Sequence, residues 1–204
     1  MILTPLDHEA LSRALDAVAA NLSDDLPART AFARIADTRR FCPDLAADLR
    51  AGCCKAVELA TRLGIETLDA DPADAYSWDG KVIRTRSESS VVFHEIAHWK
   101  LTPPHRRSVL DFGLGAGPET GLIAQADGAI CTDAATREEE ESLASLLGIL
   151  WEVANDEPAL LAFAEQNWLE LPDRLHTARH FTRCVHALRE RRLIGADGRP
   201  LLSA

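Results

Sequence analysis

The segment HEIAH at positions 94–98 sets two histidines four residues apart with a glutamate beside the first. On a helix, positions i and i+4 stand one above the other, so His94 and His98 project from one face about a turn apart. Two imidazole nitrogens held in this way are able to share one divalent metal. Glu95, one residue round the helix, flanks such a metal instead of ligating it, and in H-E-x-x-H sites that glutamate activates a water. Val91, Val92, Phe93, Ile96, Ala97 and Trp99 make the segment apolar nearly all round. Three polar side chains on a buried helix need partners, and a metal supplies one.

A third ligand has to come from elsewhere. The pattern that adds a glycine three residues after the second histidine and a histidine six after it is absent: Leu101 and Pro104 stand there, and His105 is one place late. Two-metal bundles need Glu-x-x-His from two helices. Glu95–His98 is one such unit and the chain holds no second, so a single metal is expected. The better source is REEEESLASLLGILW, residues 137–151. Leu143, Leu146, Leu147 and Leu150 define one helix face, and stepping back from it by four and seven residues reaches Glu139. Glu140 lies slightly off that stripe, while Glu138 and Glu141 are expected to point away. Glu139 is therefore the expected carboxylate ligand, with Glu140 its substitute and the rest of the run a solvated helix start favoured by the dipole.

The elements that must carry these side chains follow from periodicity and punctuation. Helices are expected over 6–21, 43–63 and 91–101, the second closed by Gly64 and the third capped by Ser89 or Ser90 and stopped by Thr102-Pro103-Pro104. A further helix is expected within ARTAFARIADTRR. Asp79-Gly80 between short β-prone runs predicts a hairpin with strands near 74–78 and 81–86. Residues 111–136 are rich in glycine and irregular, suggesting a lid or binding loop. GLGAGPETG within them is a weak signal for phosphate, since it neither follows a strand nor carries the lysine of a P-loop. Helices return at 137–153, 157–169 and 173–193, and the tail GADGRPLLSA is expected to be loose.

Composition narrows the function. The chain has 204 residues, 47% of them hydrophobic, and a net charge of −10. Direct nucleic-acid binding, which calls for a basic face, is not expected. Cys42, Cys53, Cys54, Cys131 and Cys184 are odd in number and form no C-x-x-C pair, so neither a disulfide framework nor a zinc ribbon is expected. Cys53 and Cys54 read as small core residues. No basic, apolar leader opens the sequence and no apolar run reaches membrane-spanning length, which points to a cytoplasmic protein without a membrane partner.

Several of these segments together resemble a known family. HEIAHW, the arginine pair in PPHRRSVLDFG and the glutamate-rich helix start are similar to the elongation factor P hydroxylases of bacteria, which carry the same H-E-x-x-H-W, a following Arg-Arg and an Asp-Phe-Gly. LPDRL and CVHAL are similar to that family's Pro-Asp-Arg and Val-His-Ala segments, at a spacing that differs by a few residues. The resemblance spans about residues 58–193 and is strongest at 91–115. It implies three parts: an N-terminal helical extension over 1–57, a metal-binding catalytic domain over 58–193 and a tail over 194–204. It further implies a helix-dominated, zincin-like α+β domain with a short sheet or hairpin beside the histidine helix. The implied metal is Fe(2+), held by His94, His98 and Glu139 or a neighbour, with positions left open for oxygen and substrate. The implied reaction is hydroxylation of a protein side chain or small amine-bearing substrate, in that family a modified lysine on a translation factor. His186, in the Val-His-Ala segment, would line the pocket.

Other residues carry narrower expectations. Arg106 and Arg107 would meet an acidic substrate group or remain solvated charges at a helix end. Asp111 would hydrogen-bond a ligand histidine. Trp99 reads as a core anchor, and His176 and His180 as surface or interhelical contacts. Small zincin peptidases of the regulatory and anti-restriction kinds are the second resemblance, implying Zn(2+) and Glu95 as general base. A metal-stabilised binding module is the non-enzymatic alternative, and it requires a fourth protein ligand.

Overall fold

The computed structural model describes residues 8–22, 24–41, 53–169 and 175–202. Cys42 and the first half of the helix expected over 43–63 lie outside them. The elements in chain order are α1 (His8–Asn21), α2 (Leu26–Asp37), α3 (Cys53–Arg62), β1 (Glu66–Leu68), β2 (Val82–Arg84), α4 (Ser89–Leu101), α5 (Ile123–Gly128), α6 (Ala134–Ala154), α7 (Ala159–Glu165) and α8 (Leu175–Glu190). The class is α+β, dominated by helix, and no described helix is long and apolar enough to cross a membrane.

The chain divides into two compact units, Met1–Leu45 with Ile149–Ala204, and Ala46–Gly148. This differs from the division expected from sequence. The N-terminal helices build their core with α7 and α8. In that unit Phe32, Phe163 and Phe181 meet edge to face at centroid distances of 5.9–6.1 Å. The Thr38 hydroxyl accepts the Leu160 amide at 3.0 Å. The C-terminal segment is folded and not loose: Gly195 and Leu201 amides bond to the Arg199 and Leu193 carbonyls at 2.8 Å, and Gly198 lies against Ala31.

The other unit carries the histidine motif. Helix α3 ends as glycine dictates, with Gly64 at φ 73°. The amides of Ile65 and Gly64 reach back to the carbonyls of Ala60 and Thr61, satisfying groups that the helix end would orphan. The chain then enters β1, which pairs with β2 in parallel, Thr67 opposite Ile83. The expected hairpin is present only as a single antiparallel bridge, Trp78 to Ile83, around Asp79-Gly80. Asp79 Oδ1 accepts the amides of Lys81 and Val82 at 3.0 Å, which shapes that turn. Of the strand expected near 74–78 only Trp78 takes part in that bridge, and residues 72–74 before it form a 3₁₀ turn. Cys53 donates to the Thr85 and Ser87 carbonyls at 3.3 Å, and Cys54 is exposed, so the cysteine pair is not core filling.

Residues 111–136 also hold more order than their composition suggests. The Leu122 amide bonds to the Ala75 carbonyl at 2.9 Å, the Ser77 amide to Thr120 Oγ1 at 3.1 Å and the Ala116 amide to Asp127 Oδ1 at 3.0 Å. A Cβ on Gly121 would overlap the Ala73 carbonyl. Glycine is needed here for close approach of two backbones, and the segment is pinned, which is not the behaviour of a lid.

Candidate metal centre

Helix α4 starts from Glu88, which caps it without a side-chain bond, and stops before Pro103, close to the limits expected from sequence. Val92, Phe93, Ile96 and Ala97 are wholly buried, so the helix is anchored on most of its circumference. His98 is buried as well, and the His94 side chain is 21% exposed.

The two imidazoles turn their Nε2 atoms toward each other at 2.9 Å. Glu141 completes the group, with Oε1 3.3 Å from His98 Nε2 and Oε2 3.4 Å from His94 Nε2. Donors about 2.0–2.1 Å from one metal stand about 2.9–3.4 Å apart at angles between octahedral and tetrahedral. The two nitrogens and the carboxylate therefore lie close enough to face one ion, each histidine being met by a different oxygen of Glu141. Among the described residues no fourth histidine, cysteine or carboxylate joins them. The Glu141 side chain is 53% exposed, so solvent reaches the cluster from the carboxylate side.

Glu141, and not Glu139, is the carboxylate brought to the histidines. The leucine stripe misleads because α6 is buried nearly all round, including Leu143, Ala144, Leu146, Leu147 and Ile149. The face toward α4 is marked by Gly148 instead. A Cβ there would lie 3.1 Å from the His94 N and Cα atoms, so a side chain is omitted where two helices approach closely. Seven residues before Gly148 is Glu141, on the same face at 3.6 residues per turn, whereas Glu139 is about half a turn away. A glycine in the middle of a helix was the available signal.

Glu140 faces Arg106, whose Nη2 donates to both carboxylate oxygens, to Oε1 at 2.6 Å. Arg106 is buried, so it is neither a solvated charge nor free for a substrate. Arg107 lays its guanidinium 3.9 Å from the centroid of the Trp99 ring and donates from Nε to the Thr102 carbonyl at 3.0 Å. Trp99 is half-buried under that cation and is not a core anchor.

Asp111 takes a different role from the one expected. Its Oδ1 accepts the Trp78 amide at 3.1 Å and its Oδ2 accepts the Thr120 hydroxyl at 2.7 Å. Neither histidine Nδ1 has a hydrogen-bond partner among the described residues. Asp111, Phe112 and Gly113 form three successive left-handed residues, at φ 39°, 56° and 71°. Such a run is costly outside glycine and persists only where its surroundings hold it. It aims the Phe112 ring between Trp78 and His98, at centroid distances of 5.1 Å and 5.6 Å. Asp111 thus braces the turn that walls His98. His186 belongs to the other unit, where its Nε2 lies 2.6 Å from Asp25 Oδ2. There too His180 stacks on Trp168 at 5.3 Å; the His176 side chain lies outside the described set.

Electrostatics matches the geometry. Burial lowers the His94 pKa, and His98 beside it acts the same way. Burial also pushes His98 down, but the Glu141 carboxylate, with Glu95 and Glu140, outweighs it and the pKa is raised. Desolvation would raise Glu141, yet the two histidines hold it well below the usual carboxylate range. Burial pushes Glu95 up to about 8, opposed by His98 and reinforced by Asp111, Glu141 and Glu119. A carboxyl kept protonated beside a histidine pair is a proton donor or acceptor in the range enzymes use. No family model, curated protein or solved structure matches the chain.

Proposed function

We propose that the chain is a metal-dependent oxygenase with one iron held by His94, His98 and Glu141, acting on a protein side chain or a small amine-bearing substrate. The observation that carries this reading is the three-donor face: two imidazole Nε2 atoms 2.9 Å apart, each 3.3–3.4 Å from one oxygen of the half-exposed Glu141 carboxylate, with no fourth ligand among the described residues. Two histidines and one carboxylate on one face are the ligand set of non-heme iron oxygenases, and a closed binding module would need a fourth protein donor. Iron held there would supply dioxygen activation. The chain's own residues orient it: α4 fixes both imidazoles, Phe112 walls His98, and Glu95 sets a buried carboxyl next to the pair. The resemblance of HEIAHW, Arg106-Arg107 and Asp111-Phe112-Gly113 to the elongation factor P hydroxylases supports the same chemistry, with a zincin-like arrangement of α4 and α6 and a translation factor as the protein substrate. Hydroxylation by dioxygen consumes two electrons from an external donor, so the test is oxygen uptake after anaerobic reconstitution with Fe(II) and with excess ascorbate as reductant, beside a zinc-loaded sample and His94→Ala. Uptake that requires iron and is lost in the variant supports the reading, and iron bound without uptake, with lysine-containing peptides supplied, counts against it.

Zinc-dependent peptide hydrolysis is the second reading, favoured by one observation, the buried Glu95 carboxyl one residue from His94 on α4. Glu95 would then take the proton of the attacking water. Glu95→Gln in a zinc-loaded chain should keep the metal and lose peptide cleavage.

A further inference from the structure

Arg106 is a cation buried to 5% exposure, directly after a helix that holds two metal-binding histidines. Its partner, Glu140, is not the carboxylate that meets those histidines but the residue beside it. A buried ion pair is a poor source of stability, because desolvation cancels much of its attraction. What such a pair does fix is geometry.

We propose that Arg106 is a positioning residue for the metal-binding carboxylate, holding Glu141 in register with the two histidines through Glu140. The role rests on the metal centre formed by His94, His98 and Glu141. Successive residues of a helix are 1.5 Å apart along its axis and about 100° apart around it. Clamping Glu140 therefore fixes both the height and the azimuth of Glu141. The carboxylate lies early in α6, before the helix becomes buried, and Glu138 and Glu139 beside it are exposed. Beyond it the helix is packed from Leu143 and Ala144 onward, and the Gly148 contact with His94 lies seven residues further on, about two turns away.

Arg106 is suited to this because it touches the other side of the centre too. A Cβ on Gly113 would lie 3.5 Å from the Arg106 Cγ and Cδ, so the arginine stem runs alongside the left-handed turn that sets Phe112 on His98. One side chain references the wall of the histidine and the helix of the carboxylate to the same point. A single guanidinium nitrogen, Nη2, reaches both oxygens of Glu140.

A double-mutant cycle on the full chain tests the role, using Co(II) and Zn(II) alone as probes and competition with a chromophoric chelator. Arg106→Gln should weaken Co(II) binding about tenfold, the scale of lost support behind a metal ligand. Its visible absorption bands should move toward those of Glu141→Gln. In the Glu141→Gln background the same arginine substitution should change affinity less than about twofold, since the ligand it positions is gone. Arg106→Lys should recover part of the affinity. Equal losses in both backgrounds, or unchanged binding and spectrum in Arg106→Gln alone, overturn the role. If Arg106→Gln does not fold by circular dichroism, Glu140→Gln breaks the same pair from α6 and must give the same non-additivity. A wild-type chain that binds neither metal overturns the centre and this role together. Binding lost in His94→Ala but additive in the cycle overturns the role alone.

Discussion

Helix α4 and the start of α6 contribute to the same three-donor face, yet they are built in opposite ways. The histidines sit on a helix whose Val92, Phe93, Ile96 and Ala97 are wholly buried, so their place is decided by a local motif in a packed element. The carboxylate sits on a half-exposed side chain within four consecutive glutamates, where only contacts with distant segments distinguish one from the next. The first arrangement is rigid through packing. The second is held by an ion pair from Arg106 and a close approach at Gly148.

The largest expected effects follow from that contrast. His98→Ala removes a buried donor that nothing else on α4 replaces, and metal binding should fall at least about a thousandfold. Glu141→Gln keeps a neutral oxygen at the same position and should cost about a hundredfold. Titration of each variant with Zn(II) against a chelator measures both. A Glu141→Gln loss as complete as that of His98→Ala would mean that the exposed ligand is no weaker a holding point, which would break the comparison.

The same contrast explains what was legible in the sequence. Helix α4, expected over 91–101, runs Ser89–Leu101, and the helix expected over 137–153 runs Ala134–Ala154, because apolar periodicity and prolines mark both locally. Glu141 was not legible from the leucines, since a helix buried nearly all round has no single stripe from which to count. β1 is three residues long, too short for alternation to reveal, and its parallel pairing with β2 spans an irregular connection. The left-handed run at Asp111–Gly113 carries no composition signal beyond its glycine. His186 fits a family-like triplet, but its partner Asp25 is 161 residues away, and no spacing rule links them.

Gly148→Ala sharpens the account of the α6 face. Alanine favours helix over glycine by about 1 kcal/mol in an exposed interior. Here the added carbon meets the His94 backbone at 3.1 Å, and α4 is too well packed to yield freely. The two effects should leave stability within about 1 kcal/mol of wild type while metal affinity falls by roughly threefold to tenfold, because α6 shifts relative to the histidines. Urea unfolding and Co(II) titration of the same sample separate the two. Full affinity in Gly148→Ala would show that the register of Glu141 is set at Arg106 alone.

The smallest effect is expected in the other unit, at a contact of the same long-range kind but without a buried ligand. Asp25 caps α2 by accepting the Ala28 amide at 2.8 Å and pairs with His186, while remaining partly exposed. Burial alone would raise its pKa, but the His186 bond and the Ala28 amide outweigh it, and the carboxyl is held below its ordinary value. A carboxyl with a depressed folded pKa adds stability above its unfolded pKa of about 3.9, and that stability is lost as pH falls through the folded value. Asp25→Ala should therefore cost about 1 kcal/mol at pH 7, mostly from the cap. The difference from wild type should shrink as unfolding is repeated below pH 4. A cost that stays constant down to pH 3 would assign it to packing of the side chain instead of the charged bonds. Metal affinity should be unchanged throughout, because nothing in this contact bears on the three donors of the other unit.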